Sequence, residues 1–127
     1  MDPLSVLEHR YGCEEMRSIF RANSYLRRLL EVEATLAEVQ SEIGIIPQEH
    51  GKIIRGGIEK VERERVEEIE SEIKHDVMAV VKALAEQVGE AGKSIHFGAT
   101  SYDIVDTARA LQPVSYTHLT LPTICSV

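Results

Sequence analysis

The chain has 127 residues, 28% of them charged, with a formal charge of −7 and no tryptophan. That is one domain's worth of chain or less, and a helical piece of this size often completes its core against a partner. The acidic balance argues against nucleic acid as a main ligand, since neutralising phosphates takes clustered Lys and Arg, and no apolar run approaches the roughly 20 residues of a membrane helix.

The N-terminal run MDPLSVLEHRYG lacks the basic flank and long apolar stretch of a secretory signal. Cys13 and Cys125 form no disulfide framework, so a reduced cytoplasmic setting is expected. A first helix is expected from about Cys13 or Glu14. Tyr25, Leu29, Val32, Leu36, Val39 and Ile43 then recur in steps of four and three, one face of a helix widened by Leu26, Leu30 and Ala37. Asn23 or Ser24 can cap its start, and Gly44 suits its end.

Pro47 can open a short helical turn, which Gly51, Gly56 and Gly57 keep from being long or rigid. Residues 58–73 read as one densely charged helix with a narrow apolar line, Ile58, Val61, Val66, Ile69 and Ile73, braced by spaced ion pairs. After Asp76 comes another stripe, Val77, Val80, Val81, Leu84 and Val88, stopped by Gly89 and Gly92. Residues 94–97 are the only short strand candidate. A last helix begins after Thr100-Ser101, carries Ile104, Ala108 and Leu111, and is cut at Pro113. The class is all-α, with helices long enough to pack in a bundle.

Beyond Pro113 the character changes. VSYTHLTLPTICSV has no acidic or basic side chain, unlike the chain before it, and VSYTHLTLPT looks like a translated sequencing adapter. Residues 113–127 are therefore read as a non-native read-through tail, and His118 and Cys125 are set aside as functional candidates.

Two helix starts preceded by polar side chains look like halves of a site for an anionic small molecule, and a local pocket can be positive inside a negative whole. At the first, His75 between Lys74 and Asp76 can hydrogen-bond a ligand oxygen or move a proton near neutral pH; equally, Asp76 can cap the next helix beside a solvated His75. At the second, Thr100 and Asp103 match a capping box, while the hydroxyls of Thr100 and Ser101 with a helix N-terminus can hold a carboxylate or phosphate. Gly98 lets a ligand approach the backbone. His96, between Ile95 and Phe97, is expected to face opposite to its neighbours. Arg10 and Tyr11 offer a rigid guanidinium fork and a phenol hydroxyl, though surface and packing roles serve them as well. The histidines and acids lack compact ligand spacing, so no metal is expected.

Read in order, RYG, LEVEATLAE, IGIIP, EIESEIKHDVMAVVKAL and HFGATSYDIVDTA resemble the N-terminal part of the adenylosuccinate lyases, in the fumarase/aspartase superfamily, over about Leu7 to Gln112. KHDVMA and HFGATSYDIVDTA together carry the resemblance. It implies residues 1–112 as a lyase N-terminal helical domain, with the central bundle starting near 101–112. It implies elimination of fumarate from adenylosuccinate and from the succinylated aminoimidazole carboxamide ribonucleotide, without a cofactor, in a homotetramer. Arg10 and Tyr11 would contact the nucleotide phosphate. Lys74, His75 and Asp76 would contact substrate, His75 supporting catalysis. Thr100 and Ser101 would hold the succinyl end, and His96 would belong to the active-site region. The family's general-acid histidine and mobile catalytic serine loop have no counterpart here, so the chain is expected to be inactive alone. Other expectations are a different lyase of the superfamily, of the argininosuccinate lyase or carboxymuconate cycloisomerase type, or a helical interaction module.

Overall fold

A computed structural model of the protein describes residues 12–125, with side chains through residue 118. Among the described residues the regular structure is helical, without strands: α1 (Glu14–Ile19), α2 (Ala22–Glu42), α3 (Gln48–Gly57), α4 (Arg63–Ile73), α5 (Asp76–Val88) and α6 (Ser101–Cys125), with short 3₁₀ segments at Ile58–Lys60 and Gly89–Ser94. The all-α expectation holds. No helix among these residues is long and apolar enough to cross a membrane.

Helix α2 follows α1 after two residues, Phe20 and the extended Arg21 (ψ 149°). It therefore starts before Asn23 and Ser24, and neither caps it; the Ser24 hydroxyl instead donates to the Ser18 carbonyl at 2.5 Å, tying the two helices together. Gly44 does take the left-handed conformation, φ +79°.

The buried face of α2 is rotated from the expected seam. Leu29, Leu30, Glu33, Ala34, Ala37 and Ser41 are buried, whereas Val39 and Ile43 are 49% and 66% exposed. The cause is close packing by α3. A Cβ on Gly51 would stand 2.4 Å from the Ser41 hydroxyl and 2.9 Å from the Glu38 backbone, so α3 fits only over the small residues of α2. Gly51 is thus demanded by packing, and the glycine-containing segment is a regular helix of 10 residues rather than a loose turn.

The charged segment is not one helix. It breaks at extended Val61 (ψ 118°) and Glu62 (ψ 138°) between the 3₁₀ turn and α4. The expected ion pairs form: Arg63 with Glu67 at 2.6 Å, and Arg65 bridging to Glu86 of α5 at 2.7 Å. Helix α5 buries Val77, Ala79, Val80, Val81, Ala83 and Leu84 and stops at Gly89, whose φ is +59°.

Helix α6 packs on α2 and runs through Pro113 instead of ending there. Inside a helix a proline forfeits the N–H that would reach the residue four before it, and its ring crowds that residue's carbonyl. Here Pro113 and Arg109 are both exposed, so the freed carbonyl can be hydrated. The helix is tied down on both sides of the proline: Gln112 donates to the Ile19 carbonyl at 3.1 Å and Arg28 to the Ser115 hydroxyl at 2.9 Å.

The Gly51 contact separates two substitutions in one helix. Gly51→Ala should lower stability by about 1–3 kcal/mol through overpacking. Gly56→Ala, whose Cβ would meet nothing within 4 Å, should be neutral or gain up to about 1 kcal/mol in helix propensity. Urea unfolding followed by circular dichroism reads both, and equal effects would show that the close approach is not rigid.

Candidate functional site

The α4–α5 corner is made by two unusual residues. Lys74 ends α4 in the left-handed conformation (φ 56°, ψ 36°), its N–H returning to the Glu70 carbonyl. For a residue with a Cβ that conformation costs roughly 1–2 kcal/mol. His75 then extends and becomes the N-cap of α5, its Nδ1 accepting from the Met78 N–H at 3.2 Å. Histidine, rather than Asp76, does the capping. The Asp76 carboxylate accepts from the adjacent Val77 N–H at 2.8 Å and lies 3.7 Å from His75 Nδ1.

At the start of α6, half of a capping box forms. The Asp103 carboxylate accepts from the Thr100 N–H at 2.8 Å and from the Thr100 hydroxyl at 3.0 Å. These bonds hold the Asp103 carboxyl below the usual aspartate range, the amide contributing most. Thr100 thereby uses its hydroxyl proton on Asp103, which leaves that oxygen only acceptor capacity. Ser101 has no such tie.

The two corners meet. Ser101 Oγ lies 3.5 Å from His75 Nε2, the outer edge of hydrogen-bond reach, a length common in unliganded sites that tighten on binding. Because Nδ1 accepts from Met78, the neutral imidazole carries its proton on Nε2. An Nε2–H aimed at Ser101 Oγ leaves the serine's own proton free to point outward. His75 is 45% exposed, so the pair offers donors to a ligand arriving from solvent.

His96 sits elsewhere. It takes φ +61°, and its Nδ1 lies 2.6 Å from Glu33 Oε1, with the two side chains 13% and 0% exposed. Alternation fails here because residues 94–97 form no strand: Ile95 and His96 both turn inward and Phe97 is exposed. Burial pushes the Glu33 carboxyl above its ordinary range, against the pull of the His96 ring. Glu33 Oε2 has no hydrogen-bond partner. The same loop is held twice more, by Gln40 donating to the Phe97 carbonyl at 2.7 Å and by His50 Nδ1 at 2.7 Å from the Ser94 hydroxyl.

Lys74 is exposed and shares a shallow depression with Glu67, Glu70 and Ser71. Arg10 and Tyr11 lie outside the described residues. No group of His, Cys, Asp and Glu among the described residues could hold a metal ion. An apolar groove of about 940 Å³ between α2 and α6, floored by Val32, Leu36 and Ile104, contains neither His75 nor Ser101. Sequence reasoning missed two residues. One is Glu33, concealed in an apolar helix pattern. The other is Arg109, which approaches the half-buried Tyr25 phenol closely enough to oppose the upward push of burial on it, with Asp76 and Asp106 also near. A charge recurring two helical turns after Ser101 was the available signal for Arg109.

No family model matches the chain. It is 54% identical over 107 residues to the adenylosuccinate lyase of Pyrococcus horikoshii, covering 83% of this chain and 24% of that protein. To the adenylosuccinate lyase of Methanothermobacter thermautotrophicus it is 52% identical over 108 residues, and to that of Bacillus subtilis 39% over 99 residues. Among solved structures, the fumarate lyase from Mesorhizobium sp. BNC1 superimposes with a TM-score of 0.71 at 35% identity, over 82% of this chain and 26% of that one. Adenylosuccinate lyases are therefore homologues of this chain, which spans about a quarter of the length of the curated relatives it matches.

The Asp103–Thr100 contact makes stability pH-dependent with a definite sign. The folded carboxyl titrates below the ordinary aspartate range, so its contribution is full above that range and is lost as pH falls through the lower, folded value. Asp103→Asn should have a lower urea midpoint than the parent at about pH 6, with the gap closing toward about pH 3. A gap independent of pH would mean that the ionised carboxylate does not hold Thr100.

Proposed function

We propose that the chain is the N-terminal helical segment of an adenylosuccinate lyase, and that its His75–Ser101 pair binds and polarises the succinyl-bearing end of a purine nucleotide. The observation that carries this reading is the meeting of the two corners, 26 residues apart in sequence, at His75 Nε2 and Ser101 Oγ. The 54% identity to a lyase of that name supports it.

The reaction removes a proton from the carbon beta to the departing nitrogen, protonates that nitrogen as the C–N bond breaks, and releases fumarate. Charge builds on the succinyl carboxylate next to the deprotonated carbon, and donors fixed in advance at that position lower the barrier. The Nε2–H of His75 and the outward hydroxyl of Ser101 are such donors. Thr100, committed to Asp103, contributes acceptor capacity and the shape of the turn. Lys74 and Asp76 flank the same corner, and Arg10 with Tyr11 is assigned to the nucleotide phosphate. His96 belongs to the site through the loop it anchors, because its Nδ1 faces Glu33.

In this reading the domain is residues 1–112, α6 begins the central bundle, and residues 113–127 are not native sequence. The full-length enzyme is a cytoplasmic homotetramer that binds no nucleic acid, and the present chain has no turnover of its own.

In the full-length lyase carrying this segment, His75→Ala and Ser101→Ala should each lower turnover of adenylosuccinate by about 10²–10⁴-fold, followed by fumarate release. Unchanged turnover in both site variants would remove the assignment of His75 and Ser101.

A further inference from the structure

We infer that Glu33 is a positioning residue: by gripping the His96 imidazole from inside the core, it fixes the loop that sets Ser101 opposite His75. The inference rests on the proposed lyase reading only for its consequence in turnover.

Several independent features of the molecule lead there. Glu33 is fully buried, yet one of its oxygens bonds only His96 and the other has no partner. A buried, half-satisfied carboxylate is costly, and a Leu or Met would fill the same volume without that cost. Its retention on the apolar face of α2 calls for a role beyond packing. Its partner, His96, is held at φ +61°, a conformation that side chains with a Cβ adopt only when their surroundings enforce it. Gln40, seven residues after Glu33 and so on the same face of α2, grips the next residue through the Phe97 carbonyl. Two teeth of one helix thus hold consecutive loop residues. The Ala99 N–H donates to the His96 carbonyl at 3.2 Å, handing the fixed geometry on to Thr100 and Ser101. The His50–Ser94 contact holds the start of the loop, whereas Gly98 follows at φ +71° with open space around it, so the stretch next to Ser101 depends on the grip at His96 and Phe97.

The test uses this chain, isotopically labelled, with Glu33→Leu, Glu33→Gln and His96→Gly. Folding is checked by circular dichroism, the loop by exchange of the Ala99 amide, and the corner by the ¹⁵N signals of the His75 ring. In Glu33→Leu, Ala99 exchange should accelerate about tenfold or more, and the His75 Nε2 signal should move as Ser101 leaves it. Glu33→Gln keeps a hydrogen-bonding group of the same length and should retain most of the wild-type pattern. His96→Gly removes the grip and relieves the backbone strain but leaves the buried Glu33 carboxyl unpaired, and once its folding is verified it should show the Glu33→Leu pattern. Wild-type exchange and His75 signals in folded His96→Gly would overturn the inference even if Glu33→Leu fails to fold. In the full-length lyase, Glu33→Leu should lower kcat/KM of the folded enzyme by about tenfold, with Glu33→Gln restoring most of it. A plain packing role predicts lost stability with kcat/KM unchanged, which would also overturn it. Unchanged turnover in His75→Ala and Ser101→Ala, by contrast, removes the proposed site assignment and leaves the loop measurements standing.

Discussion

Where Gly51 lies against the backbone of α2, helix α3 has room for one placement only, and that contact decides how every other surface of α2 is used. Gly51 of α3 sits over Ala37, Glu38 and Ser41, two of them small residues. The flank carrying Glu33 and Gln40 is then turned to the loop before α6, and Val32 and Leu36 to α6 itself. A larger residue at position 51 would push α3 outward and, through His50 and Ser94, pull on that same loop. Packing in the body and geometry at the candidate site are therefore two consequences of one helix's face assignment.

Periodicity located the helices well, because the apolar stripes of α2 and α5 are long and end at glycines that take positive φ. What periodicity could not rank was size. Ala34 and Ser41 count for little on a hydropathy scale, but they are the residues a neighbouring backbone can approach most closely, so the buried face shifted away from Val39 and Ile43. The break at Val61-Glu62 was hidden for a related reason: neither residue is a breaker, and extended backbone there follows from docking Ile58 and Val66 into one core. Of the site, His75, Thr100 and Ser101 stood out because polar residues at helix starts have local signatures. Glu33 had none, since a single acid in a helix is ordinary until its burial is known. His96 was read from alternation, which applies only to strands.

Helix α6 shows how far local rules reach. Proline at position 113 is a legitimate stop signal, since inside a helix it removes one N–H and crowds the carbonyl four residues before it, a cost of about 3 kcal/mol; here that carbonyl belongs to exposed Arg109, where water can reach it. Propagation is favourable once a helix is nucleated, and the contacts of Gln112 and Ser115 hold both sides of the proline in register. The continuity of the helix is thus a matter of energetics and is compatible with either origin of the residues beyond it.

His75 and His96 show why residue type alone does not assign chemistry. Each sits at a turn before a helix and each uses Nδ1 for a contact within the protein, but the partners differ. A backbone N–H occupies His75 Nδ1 as an acceptor, which places the exchangeable proton on Nε2, at a half-exposed position beside a hydroxyl. A buried carboxylate faces His96 Nδ1, so the hydrogen bond between them lies inside the core, out of reach of a ligand arriving from solvent. The first ring is free to exchange hydrogen bonds with a substrate. The second is bound too tightly for that, and the same tightness gives the loop its rigidity. The distance between Ser101 and His75 therefore depends on a pair that need never touch the ligand.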